Sequence, residues 1–150
     1  MGYKKTQIGT LFIVFMCVFV ALISIPAFLG KGVQVLTSTP FLVSYGLIFI
    51  ILLLFFRMQL ELTPEGVRIT YGIGIIRIFL PIDKVHRTES ISTKWYWGLG
   101  IRYTPEGVLY NIQGLQAVRV YYEVGGQKKS VMLGTAAPED LAHALEKAFP

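Results

Sequence analysis

The sequence predicts a membrane protein built as a two-helix transmembrane hairpin followed by a mainly-β domain. Three observations predict it. Two long apolar runs near the N-terminus carry no charge, the pattern from Met58 onward alternates with period two between Gly and Pro turns, and the chain closes on one amphipathic helix. Composition agrees: 53% of the residues are hydrophobic, only 15% are charged, and the mean hydropathy is +0.57. An ordinary globular domain carries about 25% charged residues.

The first run, Ile8 to Leu29, follows Lys4 and Lys5 and holds no charged side chain. At ~1.5 Å rise per residue it is about 33 Å long, a match for a hydrocarbon core of ~30 Å. A cleavable signal peptide is the alternative, but such cores run ~7 to 15 residues and Ser24-Ile25-Pro26-Ala27 makes a poor cleavage site. The second span is expected over 40–57, with Thr39 as N-cap, Pro40 at the first helical position and Arg57 reaching for the interface. The short connection from Gly30 to Thr39 forces the two helices antiparallel. Lys4, Lys5 and Arg57 lie outside the pair and only Lys31 between, so both termini are expected on the cytoplasmic side of the membrane. The expected domains are therefore 1–57 for the hairpin and 58–150 for the β unit, with membrane lipids as partners of the helices.

The net charge of +5 resembles a nucleic-acid signal until it is divided. Without Lys4, Lys5, Lys31 and Arg57, ten basic residues face nine acidic ones. No Lys/Arg stripe remains to neutralise phosphates, which argues against nucleic acid as a partner.

In the β domain, Met58 to Thr63 and Val67 to Tyr71 flank the turn Pro64-Glu65-Gly66, and Thr104 to Val108 repeats that Thr-Pro-Glu-Gly-Val stretch between Ile101–Tyr103 and Leu109–Ile112. Ile75 to Leu80 reads as a third strand, with Ile82 to Arg87 continuing past Pro81 at a bulge or edge. Gln116 to Val124 and Gln127 to Leu133 form a hairpin about the two-residue turn Gly125-Gly126. The last helix starts at Pro138 and places Leu141, Leu145, Ala148 and Phe149 on one face. About seven antiparallel strands and a terminal helix are expected.

Over roughly Met58 to Phe149 the chain resembles the pleckstrin-homology-like domains of bacterial membrane proteins. The carriers are Leu60-Glu61-Leu62-Thr63-Pro64-Glu65-Gly66-Val67, Trp97-Gly98-Leu99-Gly100-Ile101-Arg102, Leu109-Tyr110-Asn111-Ile112 with Gly114, and Leu133-Gly134-Thr135 leading to Pro138-Glu139-Asp140-Leu141. The resemblance implies a barrel that binds or scaffolds and brings no shared catalytic residue. An inositol-lipid site would need several basic residues between the first two strands, where this chain has Pro64-Glu65-Gly66.

No catalytic, cofactor or metal site emerges from the residues. Cys17 is the only cysteine and sits mid-run, His86 and His143 lack companions, and Gly72-Ile73-Gly74 and Gly98-Leu99-Gly100 both miss the third glycine of a dinucleotide loop. Asp83 and Glu89 read as solvated charges rather than an acid/base pair. One surface stands out. Lys94-Trp95-Tyr96-Trp97, with Lys84, Arg87 and Arg102 nearby in sequence, combines aromatic and basic groups suited to a partner or a headgroup. The expected function is a non-enzymatic interaction module that binds another membrane protein or its own copies, with anionic-headgroup recognition by residues 84–102, or an accessory role in a transporter or enzyme complex, as alternatives.

Overall fold

The computed structural model describes residues 3–26, 29, 34, 37–97 and 100–150, without the side chain of Trp95. Lys31, and Gly98 and Leu99 of Gly98-Leu99-Gly100, lie outside the described residues. In chain order the elements are β1 (Lys4–Ile8), α1 (Thr10–Pro26), α2 (Thr39–Phe55), β2 (Arg57–Thr63), β3 (Gly66–Tyr71), β4 (Ile76–Pro81), β5 (Lys84–Ser92), a 3₁₀ turn at Trp95–Trp97, β6 (Gly100–Thr104), β7 (Gly107–Asn111), β8 (Gln116–Val124), β9 (Gln127–Gly134) and α3 (Pro138–Ala148).

The transmembrane hairpin is corrected by the helices themselves. Each of α1 and α2 has 17 residues, about 26 Å at ~1.5 Å per residue, and no helix among the described residues is long and apolar enough to cross a membrane. The runs shorten because their ends are used elsewhere: Ile8 closes β1, while Arg57 and Met58 open β2. Arg57 does not extend α2; its Nε donates to the Gly72 carbonyl at 2.8 Å. Multi-pass residence in a bacterial cytoplasmic membrane, with both termini cytoplasmic, rested on that hairpin and falls with it.

Nine strands are described where about seven were expected, and they form two sheets. Sheet A is antiparallel in the order β1-β2-β3-β4, and sheet B runs β5-β8-β9-β7-β6, with β7 parallel to β9. The additional strand β1 comes from before the helices and pairs with β2 from Lys4 opposite Glu61 to Ile8 opposite Arg57. Sheet A therefore draws on both sides of the helix pair. The segment after Pro81 does not continue β4. Pro81 ends that edge strand and the chain crosses to β5 in sheet B, which carries a bulge between Val85 and Arg87.

Alternation along the strands sends one set of side chains into the space between the sheets. Met58, Leu60, Val67, Ile69 and Tyr71 from sheet A meet Val118, Val120, Val131 and Leu133 from sheet B and Ile112 just after β7, and Leu141 and Leu145 of α3 with Phe149 just after it close the side. Ala148, expected on that face, is exposed. Between β8 and β9, Gly125 and Gly126 both take positive φ, as a two-residue hairpin turn of this hand requires.

Three contacts bind the layers. Buried Gln7 on β1 donates from Nε2 to the Gly134 carbonyl of β9 at 2.9 Å, linking the two sheets. The Gly9 amide donates to Phe56 O at 2.8 Å, and the Ile73 amide donates to Leu53 O at 3.1 Å, so the β3–β4 turn satisfies a terminal carbonyl of α2. At that seam Gly72 has φ +54°, and a Cβ there would stand 2.1 Å from Leu53 O. Replacing Gly72 with Ala adds a left-handed-region penalty of ~1 kcal/mol to a backbone clash; a loss of about 3 kcal/mol in denaturant unfolding is expected.

Tyr71 is fully buried beside Phe55, and its hydroxyl has no hydrogen-bond partner among the described residues. Burial pushes its pKa far above 10, with Tyr110 adding to the rise. The neutral form is thus favoured on folding: its contribution is complete below the unfolded pKa of about 10 and declines as pH rises beyond it. Tyr71→Phe is expected to stabilise the fold by about 1 kcal/mol at neutral pH. It should also flatten the alkaline decline by up to about 1.4 kcal/mol per pH unit, measured by unfolding at pH 8 to 12.

Candidate functional site

Sheet B has one face in the core and one outside, and the outer face is largely occupied by its own chain. Trp97 packs there with Ile91 against buried Leu109, Ala117 and Met132. The segment leading to it is pinned by Thr93, whose amide and hydroxyl both donate to the Leu115 carbonyl. Lys94 Nζ then sits 5.5 Å from the Trp97 ring centroid and 5.7 Å from that of Tyr96. The lysine is spent on its neighbours as a cation–π partner. Tyr96 remains exposed; Trp95 shares the 3₁₀ turn, and its side chain lies outside the description.

The structure does not bring the six sequence-predicted surface residues together. Lys84 and Arg87 belong to β5 at one edge of sheet B, whereas Arg102 belongs to β6 at the opposite edge. Arg87 pairs with Glu89 at 2.8 Å, and Glu89 lies 3.8 Å from Arg119, which in turn pairs with Glu106. This chain of charges crosses the outer face, with Arg119 Nε buried and without a hydrogen-bond partner among the described residues. Arg102 instead lines an apolar groove of about 270 Å³ between sheet B and the helices, with Phe12, Ile51, Phe55 and Ile112.

Asp83 and His86 also have structural partners. Asp83 accepts the Gly125 amide at 2.7 Å and so holds the β8–β9 turn, and His86 Nε2 lies 2.9 Å from Glu123 Oε2. Burial raises the pKa values of Tyr3, Tyr110 and Tyr122, with Asp140 adding at Tyr3 and Tyr103 and Tyr122 adding at Tyr110. Among the described residues no three His, Cys, Asp or Glu side chains converge on a point that could hold a metal ion.

The largest unsatisfied surface is on the helices, and it is apolar. Leu11, Val14, Phe15, Val18, Phe19 and Leu22 are exposed along α1, and Leu42, Val43, Leu47, Phe49 and Ile50 along α2. The only buried residue of the two helices is Ile48. Their mutual contact includes a Ser24–Tyr45 hydroxyl pair at 3.0 Å and covers only one side of each helix. Helices apolar around their full circumference require cover on the remaining sides. Sequence reading marked these runs by their lack of charge but assigned them a lipid role.

Compared with protein-family models, curated proteins and solved structures, this chain matches none of them.

Proposed function

We propose that this chain is a non-enzymatic interaction module whose helix pair docks its β unit onto an apolar protein surface, in the first place that of another copy. The exposed apolar circumference of α1 and α2 carries this reading. Apolar burial contributes about 25 cal/mol per Å², and two such helices leave many residues to cover. Pairs of α1–α2 hairpins can cover one another in a four-helix arrangement with no charged group to desolvate, since no Asp, Glu, Lys or Arg lies within either helix. Three features support binding over catalysis. Arg87, Glu89, Arg119 and Glu106 are paired with each other on sheet B, the turn carboxylate Asp83 holds backbone, and the resemblance drawn from the sequence implies a binding role.

The β unit would move with the helices as one body, because α2 ends at Phe55 and β2 begins at Arg57 with no linker between them. Docking through the helices would thus present sheets A and B at a fixed attitude to whatever else the complex holds. The test is a photo-crosslinking side chain placed at Phe15 or Phe49 in the full chain, expressed in cells. A crosslinked species at about twice the 16.8 kDa chain mass is expected, and its yield should fall when Val18 and Leu47 are replaced by Gln. Crosslinks confined to lipid, or to no neighbour at all, would refute docking on a second copy.

A further inference from the structure

Sheet A has its own outer face, on which basic groups outnumber acidic ones. Alternation places Lys4 on β1, Arg57, Gln59 and Glu61 on β2, Arg68 and Thr70 on β3, and Arg77 and Phe79 on β4 on this side. Four cations thus share the face with one carboxylate. Glu61 stands opposite both Lys4 and Arg68 in the strand register, and Arg68 Nη1 lies 3.8 Å from it. Its charge is absorbed at that end of the sheet.

At the other end, two arginines are aimed by the backbone. Arg57 Nε donates to Gly72 O at 2.8 Å, and Arg77 Nε donates to Gly74 O at 2.7 Å. The two carbonyls belong to residues two apart in one turn, hence within about 7 Å of each other. Both guanidiniums are therefore drawn to the same β3–β4 turn, each held by Nε. Among the described residues no hydrogen bond or ion pair uses the Nη edges of either group. Arg57 is further steadied over the Phe56 ring at 5.4 Å.

The strand register sets two neutral donors between them. Gln59 lies opposite Thr70, and Thr70 lies opposite Arg77, so one cross-strand row reads Gln59, Thr70, Arg77. Neither the Gln59 amide nor the Thr70 hydroxyl has a hydrogen-bond partner among the described residues. These side chains line a cleft of about 610 Å³ together with Arg57 and Gly74, and the paired Glu61 and Arg68 line its other end. Gly74 adjoins both: a Cβ there would lie in ordinary contact with Arg77 Nη2 at 3.6 Å and Thr70 Cγ2 at 3.8 Å.

We propose that this cleft binds a phosphomonoester dianion, held between Arg57 and Arg77 with Thr70 and Gln59 donating to its remaining oxygens. Two planar forks with open Nη edges match a tetrahedral oxyanion bidentately, and fixing Nε in advance reduces the rotamer entropy lost on binding. Two uncompensated positive charges match a dianion better than a monoanion. The group can reach the cleft on a small soluble phosphate ester or on a lipid headgroup such as phosphatidic acid.

The test uses the full chain in an uncharged detergent that covers the helix faces, titrated with phenyl phosphate above the second phosphate pKa of about 6 and followed by calorimetry. Arg57→Gln and Arg77→Gln should each weaken binding at least about tenfold, Arg77→Lys by an intermediate factor, and Arg68→Gln by less than about threefold. Thr70→Val leaves every charge and both turn bonds in place and should weaken binding by about threefold to tenfold, so the proposal stays open to refutation even if an arginine variant unfolds. Mixed micelles carrying phosphatidic acid, set against phosphatidylglycerol, separate the sources: binding of phenyl phosphate with the stated variant pattern assigns a soluble ester, and binding of phosphatidic acid alone with that pattern assigns the lipid. No binding of either, equal losses at Arg57, Arg68 and Arg77, or equal binding of the phosphatidylglycerol diester would overturn the proposal.

Discussion

The structure depends on the absence of a linker between α2 and β2. A helix that runs into a strand within one or two residues leaves its terminal carbonyls close to the sheet, where water reaches them poorly and protein donors must replace it. The turn between β3 and β4 supplies a donor through the Ile73 amide, and Gly72 allows the approach because any side chain would collide with Leu53 O. Sheet A is thereby fixed against the helix pair. Phe55 completes the seam from the helix side by packing 5.7 Å from the Tyr71 ring. The same turn that closes the helix also receives Arg57 and Arg77, so the electrostatic character of the outer face follows from a requirement for hydrogen bonding.

The two sheets are joined by the core and by a small set of buried polar groups that specify how they meet. Gln7 reaches across to Gly134, and Gly134 is required there because a Cβ would stand 2.3 Å from Asn111 Oδ1. Asn111 uses its own amide on Gly114 O at 3.0 Å and its oxygen on the Gln113 amide at 3.2 Å. An apolar core of Val, Ile and Leu tolerates small shifts of one sheet over the other. Buried amides do not, since each displaced donor would be left unsatisfied.

Much of the β unit was legible from local pattern. The hairpins about Pro64-Glu65-Gly66, Thr104 to Val108 and Gly125-Gly126, and the face formed by Leu141, Leu145 and Phe149, follow from turn chemistry and periodicity, which are properties of a few adjacent residues. β1 was not legible. Lys4-Lys5-Thr6-Gln7-Ile8 has neither an apolar alternation nor a nearby partner, and its strand character comes from β2, far along the chain. The helices were overextended for the same reason, since hydropathy cannot show that Ile8 and Arg57 are claimed by a sheet. The surface formed by residues 84–102 was read as one patch because its residues are close in sequence. The crossing of β5 and β6 to opposite edges of sheet B, set by the insertion of β8, β9 and β7 between them, separates them in space.

The pairing of β1 with β2 imposes an order of events during synthesis. β1 leaves the ribosome first, but the strand that receives it follows only after both helices, so at ~5 to 20 residues per second it waits for about 3 to 10 s without its partner. β9 and β7 present a similar delay, because a parallel pair cannot close until the intervening β8 has been made and folded back. During that interval the apolar helices and an unpaired strand edge are exposed together, a combination that favours association with the wrong chain. Folding of this chain is therefore sensitive to the rate of elongation between Thr10 and Arg57, a sensitivity that its finished structure conceals.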